Sequence, residues 1–132
     1  INTLEQALDV CDALDPVAKG EDGRTPQATL GVAVDVYHVW WDPKLQAQIQ
    51  RAGKDRLLAF HVCDWLTPTT DLLTDRGMMG DGVIDIPQIR RWVEAEGFAG
   101  YSEVEIFSSA NWWQRDAAEV LDTCIQRHRS AV

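Results

Sequence analysis

The 132-residue sequence contains no run of about 18 apolar residues, so no transmembrane helix is expected. No basic start followed by an apolar stretch opens it, so no secretory signal is expected either. The chain begins at Ile1 rather than Met, and its N-terminus is expected to be cut or to lie elsewhere. Positive charge is scarce: 12 Lys and Arg face 21 Asp and Glu, a net charge of -9. That balance argues against nucleic acid as a partner, because phosphate binding needs a basic surface, and leaves small anionic substrates open. There are 3 cysteines, Cys11, Cys63 and Cys124, far apart and without a CxxC pair. A zinc ribbon or a disulfide framework is not expected, and a reducing cytoplasm fits. Cys11 and Cys124 fall on apolar positions of helical patterns and read as small core residues.

What is present is a normal apolar fraction, 45%, in a chain long enough for one domain with a core. Thr3 and Gln6 form a capping box ahead of Leu4, Ala7, Leu8, Cys11 and Leu14, which predicts a helix from about Leu4 to Leu14. Asp15 to Ala28 is polar with Gly20, Gly23 and two prolines, and reads as an exposed loop. Leu30 to Val36 and Leu57 to Val62 are continuous apolar runs, the pattern of strands buried on both faces. Asp42-Pro43 starts, and Gly53 stops, a helix that buries Leu45 and Ile49. The stretch from Asp64 to Gly82 is irregular. Asp85 with Pro87 opens a helix with Ile89, Trp92 and Val93 inside, ended by Gly97. Ser102 to Phe107 is a third strand, and Asp116 with Glu119 opens a last helix with Val120, Leu121, Cys124 and Ile125 inside.

Helices alternating with strands imply a parallel sheet with right-handed crossovers. Ligand sites in such folds lie at the carboxyl ends of the strands, and Asp35, His61 and Glu105 are at or near those ends. A carboxylate or imidazole there is costly without a partner, and a divalent cation removes the cost. Two carboxylates and an imidazole suit Mn, Co, Zn, Mg or Fe without a sharp choice among them. Glu103 shares a strand face with Glu105 and is expected to lie deeper in the barrel or nearer the strand start, so Glu105, closer to the carboxyl end, is preferred as the ligand. Asp35 and His38 form an Asp-x-x-His pair, whose plain alternative is a capping Asp beside a loop His. Arg76 precedes Gly80-Asp81-Gly82, a sharp turn, and is suited to a carbonyl, hydroxyl or phosphate oxygen or simply to solvent. Trp40, Trp41, Trp65, Trp112 and Trp113 mostly follow strand ends, where aromatic faces line sugar pockets or serve as packing.

Four segments in order carry a resemblance: Asp35-Val36-Tyr37-His38, His61-Val62-Cys63-Asp64, Arg76 through Asp85, and Val104-Glu105-Ile106-Phe107. From Thr3 to about Arg127 the sequence resembles the sugar phosphate isomerase/epimerase family, the (β/α)8 barrels related to xylose isomerase, ketose 3-epimerases and the endonuclease IV-like fold. The resemblance implies α/β architecture: residues 1–132 as the C-terminal part of a single TIM-barrel domain, with the N-terminal half outside this chain. It implies one divalent metal, Mn, Co, Zn or Mg, with Asp35, His61 and Glu105 matching three of four ligands. The family's first glutamate would precede this chain. His38 and Arg76 match residues that touch substrate oxygens, and Trp65 is the expected aromatic contact. Glu105 matches a glutamate that also shuttles a proton through a cis-enediolate, on a sugar, keto-sugar or polyol-derived substrate.

The resemblance further implies a need for an N-terminal barrel half or a second copy of the chain, since a half-barrel exposes edges and an inner face. The loop from Asp15 to Ala28 is longer than the usual connection and is expected on the side opposite the site. Two other readings stand beside the isomerase. An endonuclease IV-type nuclease would need an Asp-Arg-His stretch where this chain has Asp75-Arg76-Gly77, and the acidic balance opposes DNA. A non-catalytic remnant would keep the motifs and lack the first glutamate.

Overall fold

The structure is a computed structural model and describes residues 1–15 and 28–132. The expected loop between Asp15 and Ala28, its ends apart, lies outside the described residues.

Helix α1 (Leu4–Leu14) starts where the Thr3 hydroxyl accepts from the Gln6 amide, and it buries Leu4, Leu8 and Cys11. The Gln6 side chain reaches back to the Asn2 amide at 2.8 Å, one residue before the cap itself. Strand β1 (Val32–Asp35) is shorter than the apolar run. The Asp35 carboxylate accepts from the Tyr37 amide at 2.9 Å, which turns the chain at once into the single helical turn α2 (Val36–Val39). Helix α3 (Leu45–Arg56) runs past Gly53, which adopts φ 56° and ψ 179° inside it. Glycine meets that conformation without a Cβ penalty, so the chain kinks there and stops three residues later. Strand β2 (Leu57–Val62) follows as expected.

The stretch read as irregular holds two short strands, β3 (Asp64–Trp65) and β4 (Arg76–Gly77), paired antiparallel with Trp65 opposite Arg76. Helix α4 (Ile86–Ala95) is capped by Asp85, whose carboxylate accepts from the Gln88 amide. Strand β5 (Ser102–Val104) ends before Glu105, not at Phe107. A 3₁₀ turn (Trp112–Gln114) precedes α5 (Ala117–Ala131), which is capped by Asp116.

Strands β1, β2 and β5 form one parallel sheet in the order β1-β2-β5. Val34, Phe60 and Val62 point to the helices and are fully buried with Leu8, Ile49, Ile86 and Val93. The alternate side chains, among them Ala33, Asp35 and His61, face the other way. Asp35 is level with His61, and His61 is level with Glu103. The last helix corrects one expectation. No residue of α5 is buried: Val120 and Cys124 lean on the core, while Leu121 and Ile125 are 61% and 44% exposed. Its periodicity marks an apolar face, but nothing among the described residues covers that part of it. Among the described residues no helix is long and apolar enough to cross a membrane.

Candidate metal centre

The parallel register delivers three donors to one place. Asp35 ends β1, His61 is the next-to-last residue of β2, and Glu105 follows β5, held by its amide donating to the Val62 carbonyl at 3.1 Å. One ligand atom from each of Asp35, His61 and Glu105 lies within 4.8 Å of the other two. Two donors on opposite sides of one ion at about 2.1 Å would lie about 4.2 Å apart, so a small side-chain adjustment closes the set. The donor chemistry, two carboxylates and one imidazole, suits a divalent cation.

Arg76 is the counter-charge here. Its Nη1 donates to Asp35 Oδ2 at 3.1 Å and to Glu105 Oε2 at 2.9 Å, while Nη2 stands 3.2 Å from His38 Nε2. The guanidinium is buried between the Tyr37 ring, 4.4 Å from its centroid, and the Phe107 ring, 4.9 Å away. Burial works against its charge, but the Asp35 carboxylate outweighs it, and the guanidinium is held protonated more firmly than usual. Each carboxylate has about four lone-pair directions, so Arg76 and a cation can share them. Burial pushes the neighbouring Cys63 thiol up to about 12, and the Asp35 charge pushes the same way. Cys63 is therefore a neutral thiol, 3.8 Å from Arg76 Nη1. Burial likewise raises the Tyr37 hydroxyl.

Asp35 does two jobs. One oxygen caps α2, as the capping reading expects, and the other faces Arg76. His38 lies on the helical turn α2, with Nε2 3.6 Å from Asp35 Oδ2. Trp65 stacks on Tyr37 with ring centroids 4.8 Å apart and on Trp40 at 6.0 Å. Together with Asp35, His38, Trp41 and Leu72 it walls an open cleft of about 580 Å³. Trp112 is buried, and its indole donates to Asp81, so it belongs to the packing rather than to the cleft. Glu103 lies two residues nearer the strand start than Glu105, level with His61, and its Oε2 is 3.3 Å from His61 Nε2.

Sequence reasoning passed over Asp64. This buried carboxylate accepts from the backbone amides of Trp65, Gly80, Gly82 and Ile84 at 2.9–3.0 Å. It ties the Gly80-Asp81-Gly82 turn to the end of β2. Gly82 passes so close that a Cβ there would overlap the Trp65 carbonyl. The available signal was an Asp next to an apolar strand and, further on, two glycines flanking another Asp.

Residues 1–124 match the family described as xylose isomerase-like TIM barrel. The chain belongs to this family. The family includes sugar isomerases and epimerases. Protein SMc04130 from Sinorhizobium meliloti 1021 is 59% identical, with a TM-score of 0.87 over 99% of this chain and 44% of its own. The IOLI protein, solved with a binding zinc atom, is 20% identical, with a TM-score of 0.76 over 100% of this chain and 44% of its own. A xylose isomerase-like TIM barrel/4-hydroxyphenylpyruvate dioxygenase fusion protein is 22% identical, with a TM-score of 0.66 over 98% of this chain and 19% of its own. The last two likenesses speak to the fold alone. No curated protein matches the chain. The chain thus spans under half the length of these solved relatives, and its mixed α/β sheet is a partial xylose isomerase-like barrel.

Proposed function

We propose that this chain supplies most of the active centre of a metal-dependent sugar isomerase or epimerase, as the C-terminal part of one barrel domain. The observation that carries the reading is the convergence of Asp35, His61 and Glu105 within 4.8 Å at the ends of adjacent parallel strands. These three would hold one divalent ion, Mn, Co, Zn or Mg, and the binding zinc atom of the IOLI protein, which shares the fold, supports a metal. A bound cation would polarise a substrate carbonyl and so acidify the carbon beside it.

The chain's own groups do the rest. Glu105 stands at the rim, 36% exposed along its side chain, where one oxygen faces Arg76 and the carboxylate is open to act as a base toward a C–H α to the carbonyl. Arg76 Nη2 donates to His38 Nε2 at 3.2 Å, so the exposed His38 ring would meet substrate oxygens from the cleft wall with Arg76 behind it, the remaining Nη2 proton being the guanidinium's own donor toward them. Trp65 offers an aromatic wall to the apolar face of a sugar, keto-sugar or polyol-derived substrate. The remaining ligand and the opposite wall would come from an N-terminal barrel part or from a second copy of the chain. The protein would then work in the cytoplasm on a small molecule, without nucleic acid or membrane.

The test is Glu105→Gln in the complete barrel, with solvent deuterium incorporation followed across a ketose panel and metal content measured in parallel. The amide keeps the shape and one oxygen donor but is a far poorer base. Exchange should fall by at least the roughly 10²–10⁴-fold typical of a lost general base. Exchange near the parent rate with metal retained would overturn the role of Glu105. A parent protein that binds no divalent ion would favour a non-catalytic remnant.

A further inference from the structure

The two ring nitrogens of His61 are addressed by two different carboxylates, Glu103 on β5 and Glu105 just past its end. Glu103 and Glu105 alternate by two and share a face. The register puts Glu103 level with His61, and Glu105 one step beyond. Nε2 lies 3.3 Å from Glu103 Oε2, while Nδ1 lies 3.9 Å from Glu105 Oε2. Among the described residues no other group pairs with either nitrogen.

A neutral imidazole has one N–H and one lone pair, and a carboxylate can only accept. The nearer carboxylate therefore decides which nitrogen carries the proton. A proton on Nε2 faces Glu103 across a gap that a small rotation of its exposed side chain shortens to a hydrogen bond. The opposite tautomer would set the Nε2 lone pair against that same carboxylate, and its Nδ1 proton would reach only toward the more distant Glu105. We propose that Glu103 is a positioning residue: it holds the proton on His61 Nε2, so that the Nδ1 lone pair stays free on the Glu105 side for a divalent cation. This rests on the metal-centre reading above and adds a residue to it. A carboxylate behind a ligating histidine fixes ring orientation and raises ligand basicity.

The experiment uses the whole protein and Mn²⁺ alone as the probe, with parent, Glu103→Gln and Glu103→Ala. Glu103→Ala should weaken Mn²⁺ binding by about 10–100-fold, measured by competition against a chelator. Glu103→Gln should lose less, because its carbonyl oxygen still accepts. The ¹⁵N shifts of His61 in the metal-free protein should report the Nε2–H tautomer in the parent and a mixture in Glu103→Ala, a signature that a merely structural surface residue would not move. Glu103 is 59% exposed along its side chain, so folding should be intact; should the alanine variant not fold, Glu103→Gln and its tautomer carry the test. A dissociation constant within about twofold of the parent, with the same tautomer, would overturn this inference and leave the metal centre standing. A parent that binds no Mn²⁺ would overturn both.

Discussion

Arg76 Nη1 lies 2.9 Å from Glu105 Oε2, and the same nitrogen also reaches Asp35 Oδ2 at 3.1 Å. A single buried cation is thus shared by both carboxylates at this end of the sheet.

Arg76→Met should leave those two carboxylates opposed at short range. Orphaning a buried ion pair costs about 3–5 kcal/mol, and the lower end applies because Glu105 is partly exposed. A divalent cation should restore much of the loss, so Mn²⁺ should raise the thermal midpoint of Arg76→Met more than that of the parent. Melts with and without Mn²⁺ decide it, and an equal shift in both proteins would refute the shared-charge account.

Asp64→Asn should be more damaging than its isosteric shape suggests. The amide keeps one acceptor oxygen and turns an NH₂ toward backbone donors that now meet no acceptor. Leaving buried amides unsatisfied costs about 1–3 kcal/mol each. Urea unfolding should show a loss of this order, and hydrogen exchange should show Gly80 and Gly82 unprotected. Full protection of both would mean that the carboxylate is not what holds the turn.

Much of this arrangement is legible from residues alone, and the parts that are not have physical reasons. Helix α1 was readable to both ends because its cap, periodicity and apolar face all agree. Strand β1 was over-read at both ends. Leu58 and the Arg56 carbonyl leave no room for a Cβ at Gly31, the ladder slips just after it between Val32 and Ala33, and the Asp35 side chain captures the Tyr37 amide and starts a helical turn. Apolar content alone reports neither event. The meeting of Asp35, His61 and Glu105 follows from strand ends in a parallel sheet, a placement the sequence pattern carries. The grip of Arg76 on two of them does not, because it depends on β4 folding back against β3 across a gap with no periodicity. Likewise α5 shows that a helix pattern reveals an apolar face but not whether its cover lies in the same chain.

The loop that rims the cleft should be acid-sensitive at Asp71. Its carboxylate accepts from the Thr74 amide at 2.7 Å and the Leu73 amide at 2.9 Å, and these bonds, Thr74 first, hold its pKa below the usual carboxylate value. A depressed folded pKa means stabilisation that is complete above the unfolded value, about 3.9, and lost as pH falls through the folded one. Protection of the Leu73 and Thr74 amides should therefore hold at neutral pH and vanish in that acid window. Asp71→Ala should remove the pH dependence, and an unchanged profile in the variant would assign it to another group.

The 132-residue chain expressed alone should not behave as a compact monomer. Strands β1 and β5 are the outer strands of the described parallel sheet, each with one unpaired edge. Tyr101, just before β5, is 87% exposed, and Val104 of β5, which belongs to the helix side of the sheet, is 38% exposed; on α5, Leu121 and Ile125 are 61% and 44% exposed. Apolar side chains at these positions of a barrel strand and its covering helix call for a neighbouring strand and helix. Light scattering should give a mass above the 14.8 kDa of one chain, with binding of a hydrophobic dye. Leu121→Glu with Ile125→Glu should reduce association, since charge on that face opposes burial. A dye-free monomer that unfolds cooperatively would show that the sheet needs no cover, and the proposed requirement for an N-terminal barrel part would fall with it.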